Sequence, residues 1–511
     1  MDVKKRVLII GGGASGLTAA VWAARQGARV TVVEHMDRVG KKILSTGNGR
    51  CNMTNLYMGP ECYRSGDGSF PMRVIEGFSV EDTLRFFRGL GIEIRDRNGY
   101  IYPNSDQASA VLDVLRQEVE HLGVRVLLSC QVSKIEPSCG MYRVSGSQGI
   151  LEADALILAT GSKAAPSTGS DGSGYELAKS LGHRVIKPLP ALVQLRCQGS
   201  MYKQMAGIRT EAKVSLYVES PRLNKSGKGA ESPRLSKSGK SAERILLAED
   251  RGELQLTDYG LSGIPVFQVS RFGARALDEG RKVVARVDFM PSWKEEEAFG
   301  LLRKRAEHMD YKTVEEMFVG LLNKKLALVL IRLAGVDPSM KSGELSPRQL
   351  GRLLEQIKSY EAIVMSVNPF ANAQVCCGGV DVHEVDANTM ESKVRKGLYL
   401  TGELLDVDGI CGGYNLQFAW SSGAIAGKCA AGNDAAGKST TGNGAAGKSA
   451  AGNDAAGKST TGNGAAGKST TGNDAAGKSI SGHNAADKDT AEKPRQGKEA
   501  AGKMPAGRRR S

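Results

Sequence analysis

The chain has 511 residues, long enough for two or three domains, and its 41% hydrophobic and 24% charged residues are ordinary for a globular protein. No run approaches the ~18–20 apolar residues of a membrane span. The charged stretch Met1–Arg6 leads into an apolar pentad too short for a secretory signal core, so the expectation is a cytoplasmic protein with no membrane span. The net charge is +14, of which residues 429–511 carry +6 (13 Lys and Arg against 7 Asp and Glu); the remaining +8 suits an anionic substrate or RNA and equally neither.

The first element is a short buried-strand run, Arg6–Ile10, which passes directly into Gly11, Gly12, Gly13, Ala14, Ser15 and Gly16. A helical stretch, Leu17–Gln26, and a second strand, Ala28–Val33, follow, and the strand ends in Glu34. Each part has a physical task in a βαβ dinucleotide-binding unit. Gly11 permits the tight turn, Gly13 lets backbone approach a pyrophosphate at the positive helix end, and Gly16 allows close helix–strand packing. Glu34 is placed to accept hydrogen bonds from ribose hydroxyls and to repel a 2′-phosphate.

Two later segments separate FAD from NAD. Ala153–Gly161 reads as a strand ending in an Ala-Thr-Gly turn, and Gly397–Glu403 as another ending in glycine and an acid. An extended FAD needs contacts from so far along the chain, whereas NAD does not. The cofactor expected is FAD.

Residues 190–290 are rich in short β-like runs, two of which, Ala212–Val218 and Arg244–Glu249, flank a tandem duplication at Glu219–Ala230 and Glu231–Ala242. Its Ser, Lys, Gly and Pro content predicts an exposed loop, and longer loops cost little extra closure entropy. Trp293–Arg305, Val314–Ala334 and Ser346–Gln356 carry apolar positions at helical spacing. From Ala362 strands and glycines return. The nine cysteines contain no Cys-x-x-Cys pair, which argues against a zinc site, a disulfide framework and a dithiol relay; no metal is expected. Adjacent Cys376 and Cys377 read as small buried hydrophobes beside a strand.

From Gly432 a ten-residue unit recurs, Gly-Asn-Asp-Ala-Ala-Gly-Lys-Ser-Thr-Thr with small variations. Each copy matches the letters of a phosphate loop, as at Gly432–Ser439, yet no hydrophobic strand precedes it and no amphipathic helix follows. With almost no large apolar residues, this tail is predicted to be a disordered, mildly basic appendage.

Several stretches resemble one bacterial flavoprotein family, the HI0933-like NAD(P)/FAD-dependent oxidoreductases. They are Gly40–Asn55, Tyr102–Ser105, Thr168–Tyr175, Thr257–Gly263, Gly378–Val380 with Glu384, and Thr401–Gln417. The resemblance spans roughly residues 3–428; Cys376 departs from it, where members often carry Thr. It implies an α/β fold, with a discontinuous Rossmann-like FAD-binding domain (1–189 and 365–428) holding an inserted β-rich domain (190–290) and an inserted helical domain (291–364), followed by the tail (429–511). It also implies that Ala14, Ser15, Glu34, Lys42 and Asn48 line the adenosine and pyrophosphate path and that Val132 clasps adenine through its backbone. Gly402, Glu403, Asn415 and Leu416 would meet the ribitol and flavin. On residue type, Lys41 and Lys42 suit phosphate neutralisation, and Gly161 closes the turn after its strand. Gly409–Gly413, leading into a helix Leu416–Ala426, would bring a positive helix end to the flavin.

Members of this family are associated with reduction of electron-poor C=C bonds, in steroid enones of bile-acid dehydroxylation and in the uracil ring of ribosomal RNA, and also with oxidation of a small amine. The first expectation is therefore an NAD(P)H-dependent reductase of a conjugated C=C bond in a small hydrophobic substrate, a bile-acid-like enone. The alternatives are uridine reduction in ribosomal RNA, amine oxidation, and a non-catalytic FAD-bound scaffold. Hydride delivery to carbon also needs a proton donor; by residue type Tyr259, Tyr414, Cys51 and His383 qualify equally. No second complete glycine unit exists for NADH or NADPH, since no strand leads cleanly into Gly169–Gly174, so the nicotinamide is expected to visit the flavin face transiently.

Overall fold

A computed structural model describes residues 4–138, 140–219 and 244–432; the C-terminal repeats and the duplicated segment beyond Glu219 lie outside them. A five-stranded, wholly parallel sheet has the order Leu398–Leu400, Ala155–Leu158, Arg6–Ile10, Arg29–Val33, Arg125–Leu127. Four of its strands come from the first 160 residues and the fifth returns from near residue 400. Val7, Leu8, Ile9 and Ile10 are all buried, as expected of a strand covered on both faces.

The first helix is Ala14–Arg25, beginning three residues earlier than the apolar periodicity suggests. Gly13 is its N-cap, so the helix starts inside the glycine turn itself. It packs on the C-terminal helix, Tyr414–Ala430, whose residues are buried almost all round. Such a helix belongs in a core. The contact is intimate because a Cβ on Gly423 would lie 2.3 Å from the Ser15 carbonyl oxygen, and one on Gly427 2.4 Å from that of Ala19. Trp420, fully buried, donates its indole N–H to the Met53 carbonyl at 2.9 Å.

Between the two parts of the parallel sheet the chain forms a closed six-stranded barrel. Its order is Leu195–Cys197, Gly260–Gly263, Arg244–Thr257, Arg209–Glu219, Val283–Asp288, Tyr360–Val367, closing back on the first strand. The β-like runs beside the duplication are one long hairpin, paired from Arg209↔Gln255 to Glu219↔Arg244. A helix of 15 residues, Ile264–Asp278, packs on these strands where the sequence reads as β. Ile264, Val266 and Val269 mimic a strand start, but Pro265 suits the first turn of a helix.

The helices Glu295–His308, Val314–Met317, Lys324–Leu333 and Pro347–Lys358 share one apolar cluster with the barrel. The single helix expected over Val314–Ala334 is two, because Gly320 takes φ +78° and Asn323 caps a fresh start by accepting from Lys325 N–H. Among the described residues, no helix is long and apolar enough to cross a membrane.

The close helix contact makes an opposed pair of substitutions informative. Gly427→Ala should lower stability by about 1–3 kcal/mol, the usual cost of overpacking. Gly300→Ala, in a helix where an added Cβ meets nothing within 4 Å, should raise it by about 0.5–1 kcal/mol. Urea titration of the two variants against the parent checks both signs.

Candidate functional site

The ends of Arg6–Ile10, Arg29–Val33 and Ala155–Leu158 open onto a cavity of about 570 Å³, within the range of cofactor-sized pockets. Ligands in open parallel sheets bind at this carboxyl edge. The cavity wall includes Gly11, Gly13, Ala14, Ser15, Glu34, Lys41, Lys42, Asn48, Val132, Gly161, Glu403, Asn415 and Leu416. Gly16 and Gly402 are not in the wall and serve packing. A Cβ on Gly16 would lie 1.9 Å from the Gly11 carbonyl oxygen, and one on Gly402 2.6 Å from Ser15 Oγ.

At one end stands Glu34, buried, its Oε2 accepting from Gly12 N–H and its Oε1 from Met36 N–H, both at 2.8 Å. Each carboxylate oxygen keeps a lone pair for a further donor. Cys130, Gln131 and Val132 close the same end, and Cys130 N–H donates to the Glu34 carbonyl at 3.0 Å. Next to it the first helix presents its N-terminus with no side-chain cap and no acid in its first turn. That positive end is available to an anion.

The two lysines are both paired. Lys41 Nζ sits 2.8 Å from Asp37, and Lys42 Nζ 2.5 Å from Glu403 Oε2, which also accepts from Ser162 Oγ at 3.0 Å. Lys42 and Glu403 thus join the Lys41–Ser45 helix to the turn after the returning strand, 361 residues apart in sequence.

The other end is built from two turns. In the first, Gly47, Asn48 and Cys51 have φ of 56°, 54° and 58°, and the non-glycine members hold a left-handed conformation that costs energy. The second, Gly412–Gly413, leads into the C-terminal helix, which again starts without a side-chain cap. Leu192, Ile264, Phe267, Ile410 and Cys411 supply an apolar wall beside these turns. Three of those five belong to the barrel region, a contribution that no motif in the sequence announces.

A buried clasp holds the second turn in place. Arg271, on the barrel helix, lies 2.7 Å through Nε from Asp408 Oδ2 and donates through Nη2 to Oδ1 at 2.8 Å. Gln268 on the same helix accepts from Cys411 N–H at 2.9 Å, while Asp406 accepts from Gly378 N–H at 2.9 Å. Burial, only partly offset by Arg271, pushes the Asp408 carboxyl up to about 6.

None of the four proton-donor candidates lines the cavity. Cys51 is fully buried and burial pushes its thiol up to about 12. Tyr414 begins the C-terminal helix, its phenol held above its ordinary value by burial and by Cys62. Tyr259 accepts from Asn368 Nδ2 at 3.0 Å beneath Arg196. His383 is largely exposed and tied to Asp381 at 2.7 Å. All eight described cysteines are free thiols, and Cys376 and Cys377 are buried.

The cavity fits FAD on two observations besides the helix ends. The Gly11–Gly16 cradle has no room for Cβ atoms at Gly11 and Gly16 yet is open at Gly13. Two wall residues, Asn52 and Thr160, keep buried side-chain oxygens (Oδ1 and Oγ1) with no protein partner. The family model described as the HI0933-like protein Rossmann domain matches residues 5–429. The chain belongs to that family. It is a Rossmann-type FAD-binding flavoprotein of the HI0933-like family, with additional antiparallel strands and helices.

Among HI0933-like relatives, the chain is 42% identical over 428 residues to a 3-dehydro-bile acid delta(4,6)-reductase of Clostridium scindens, covering 83% of this chain and 99% of that one. A ribosomal RNA dihydrouridine synthase of Haemophilus influenzae is 28% identical over 81% of this chain and 96% of its own. The open conformation of a flavocytochrome c3 fumarate reductase superposes with a TM-score of 0.40 at 15% identity, over 84% of this chain and 78% of that one. At that score the likeness says nothing of function.

The clasp gives a pH signature. Asp408 keeps a proton in the folded chain between its ordinary 3.8 and about 6, where the unfolded chain has lost it. Its contribution to stability therefore falls as pH rises through that window and stays low above it. Asp408→Asn should flatten this decline, read by urea titrations of parent and variant between pH ~4 and ~7.

Proposed function

We propose that the chain is an FAD-dependent reductase of a conjugated C=C bond in a steroid-type enone of the bile-acid class, taking its electrons from NADH or NADPH. The observation that carries the reading is the apolar wall at the turn-built end of the cavity, beside the FAD cradle. A rigid hydrophobic ring system suits such a wall, where a charged nucleotide would lose hydration without compensation. Identity of 42% across nearly the whole of a bile-acid delta(4,6)-reductase supports the same substrate class.

Bound in this site and reduced by the nicotinamide, FAD would supply a hydride to the electron-poor carbon of the substrate. The chain's own part is to bind and orient. Glu34 would accept from ribose hydroxyls, and Val132 would clasp adenine through its backbone. The N-terminus of Ala14–Arg25 would take the pyrophosphate, with Ala14 and Ser15 lending N–H groups. Glu403, held by Lys42 and Ser162, would face the ribitol, Asn48 would line the pyrophosphate path, and Asn415 and Leu416 would border the ring system. Gly161 keeps the Ala-Thr-Gly turn open with φ +73°. The helix Tyr414–Ala430 would present its positive end to the ring, which favours negative charge there.

Reduction of uridine in ribosomal RNA is the second reading, favoured by the 28% identical relative and by the same hydride chemistry. Anaerobic spectroscopy separates the two. Purified yellow protein should bleach on NADH or NADPH and regain the oxidised spectrum when a 3-oxo-Δ4 or 3-oxo-Δ4,6 steroid is added. Reoxidation by ribosomal RNA and not by steroid would replace the first reading with the second. Peroxide formed with a small amine would indicate an oxidase, and no reoxidation by any acceptor a scaffold.

A further inference from the structure

A reductase of this kind must protonate one carbon as hydride reaches its neighbour, and the acid must reach the cavity. Most proton-bearing groups in the wall are committed. Glu34 is an acceptor for two backbone N–H groups, and Glu403 is bound by Lys42 and Ser162. His35 and Cys130 sit at the Glu34 end, the first 3.7 Å from the Glu34 carboxylate and the second donating its backbone N–H to the Glu34 carbonyl. Cys411 lies at the right end, but burial pushes its thiol up to about 12.

Tyr102 remains. It lines the cavity, and among the described residues no group hydrogen-bonds its hydroxyl. Its strand, Tyr100–Pro103, lies between the two turns that build the far end. Thr54 pairs with Ile101, and a Cβ on Gly413 would lie 2.7 Å from the Thr54 backbone. On the other side, the Tyr102 ring edge comes within 3.8 Å of a Cβ built on Gly47. The Arg97 guanidinium is stacked 5.2 Å from the Tyr102 ring centroid and is itself anchored by Asp106. Burial raises the phenol above its ordinary value while Arg97 and Arg50 pull the other way, so at neutral pH it carries a proton and has cations beside it to receive the charge it would leave.

We propose that Tyr102 is the general acid of this site, its hydroxyl giving a proton to the α carbon of the enone while hydride reaches the β carbon. The inference rests on the enone-reductase reading. The C=C bond gains a hydride, with its electron pair, from reduced FAD and a proton from the phenol; the phenolate regains its proton from water, and NADH or NADPH restores the electron pair.

Tyr102→Phe tests it. The variant should retain FAD, bind a 3-oxo-Δ4,6 steroid in its oxidised state with the parent's perturbation of the flavin spectrum, and be reduced by nicotinamide at the parent's rate. Its reoxidation by the steroid should slow by about 10²–10⁴-fold. Product formed in D₂O should carry α-deuterium on one face with the parent and on both faces with the variant, whose residual proton comes from solvent. A variant reoxidised at the parent's rate, or still labelling a single face, overturns the assignment of Tyr102 alone. A parent protein that no enone reoxidises overturns the enone reading, and the role of Tyr102 with it.

Discussion

The close approach of two helices is the constraint on which the rest depends. Ala14–Arg25 and Tyr414–Ala430 touch backbone to backbone because Gly423 and Gly427 present no side chain to Ser15 and Ala19. Packing at that distance leaves no freedom to slide, since interiors are as dense as molecular crystals. It also fixes where both helices begin. Each starts at a glycine, each lacks a side-chain cap, and both N-termini border the same cavity. Two helix dipoles thus share one hollow, although their sequences lie 400 residues apart.

Around this pair the chain assembles two kinds of wall. The parallel sheet supplies a polar one, made of strand ends, the Glu34 carboxylate and the linked Lys42 and Glu403, with Ser162 behind Glu403. The barrel supplies an apolar one through the helix Ile264–Asp278, which also grips the Gly412–Gly413 segment by Gln268 and Arg271. A largely buried Arg–Asp pair contributes little net stability, because desolvating both charges opposes their attraction. Its value here is geometric. It holds the segment around Gly412–Gly413 against the barrel at a defined distance, and breaking one partner would leave the other charge stranded.

The sequence was legible where structure is local. A strand, three spaced glycines, a helix and an acid act within about 30 residues of each other, and the physical task of each residue type can be stated without knowing the rest of the fold. The returning Gly397–Glu403 was legible for the same reason, as a strand with a terminal acid. Which side chains line the cavity was not. Tyr259, Tyr414, Cys51 and His383 have the right chemistry, but whether a side chain reaches a cavity depends on strand register and helix phase, which residue type does not encode. Tyr102 lay in plain view within Tyr102–Ser105, yet only its pairing through Ile101 with Thr54 puts it beside Gly47. The barrel helix was missed because β-branched residues at its start compete with the helical signal, and packing against the barrel decides the outcome.

The hairpin of Arg209–Glu219 with Arg244–Thr257 has a practical consequence. Its pairing continues to the last described rung, Glu219↔Arg244, so the two ends are neighbours whatever length of chain joins them. Closure cost grows only with the logarithm of that length. Natural duplication at this spot is therefore cheap, and the same rung is an entry port for an engineered reporter or affinity handle, secured at both ends and separate from the cavity-lining residues.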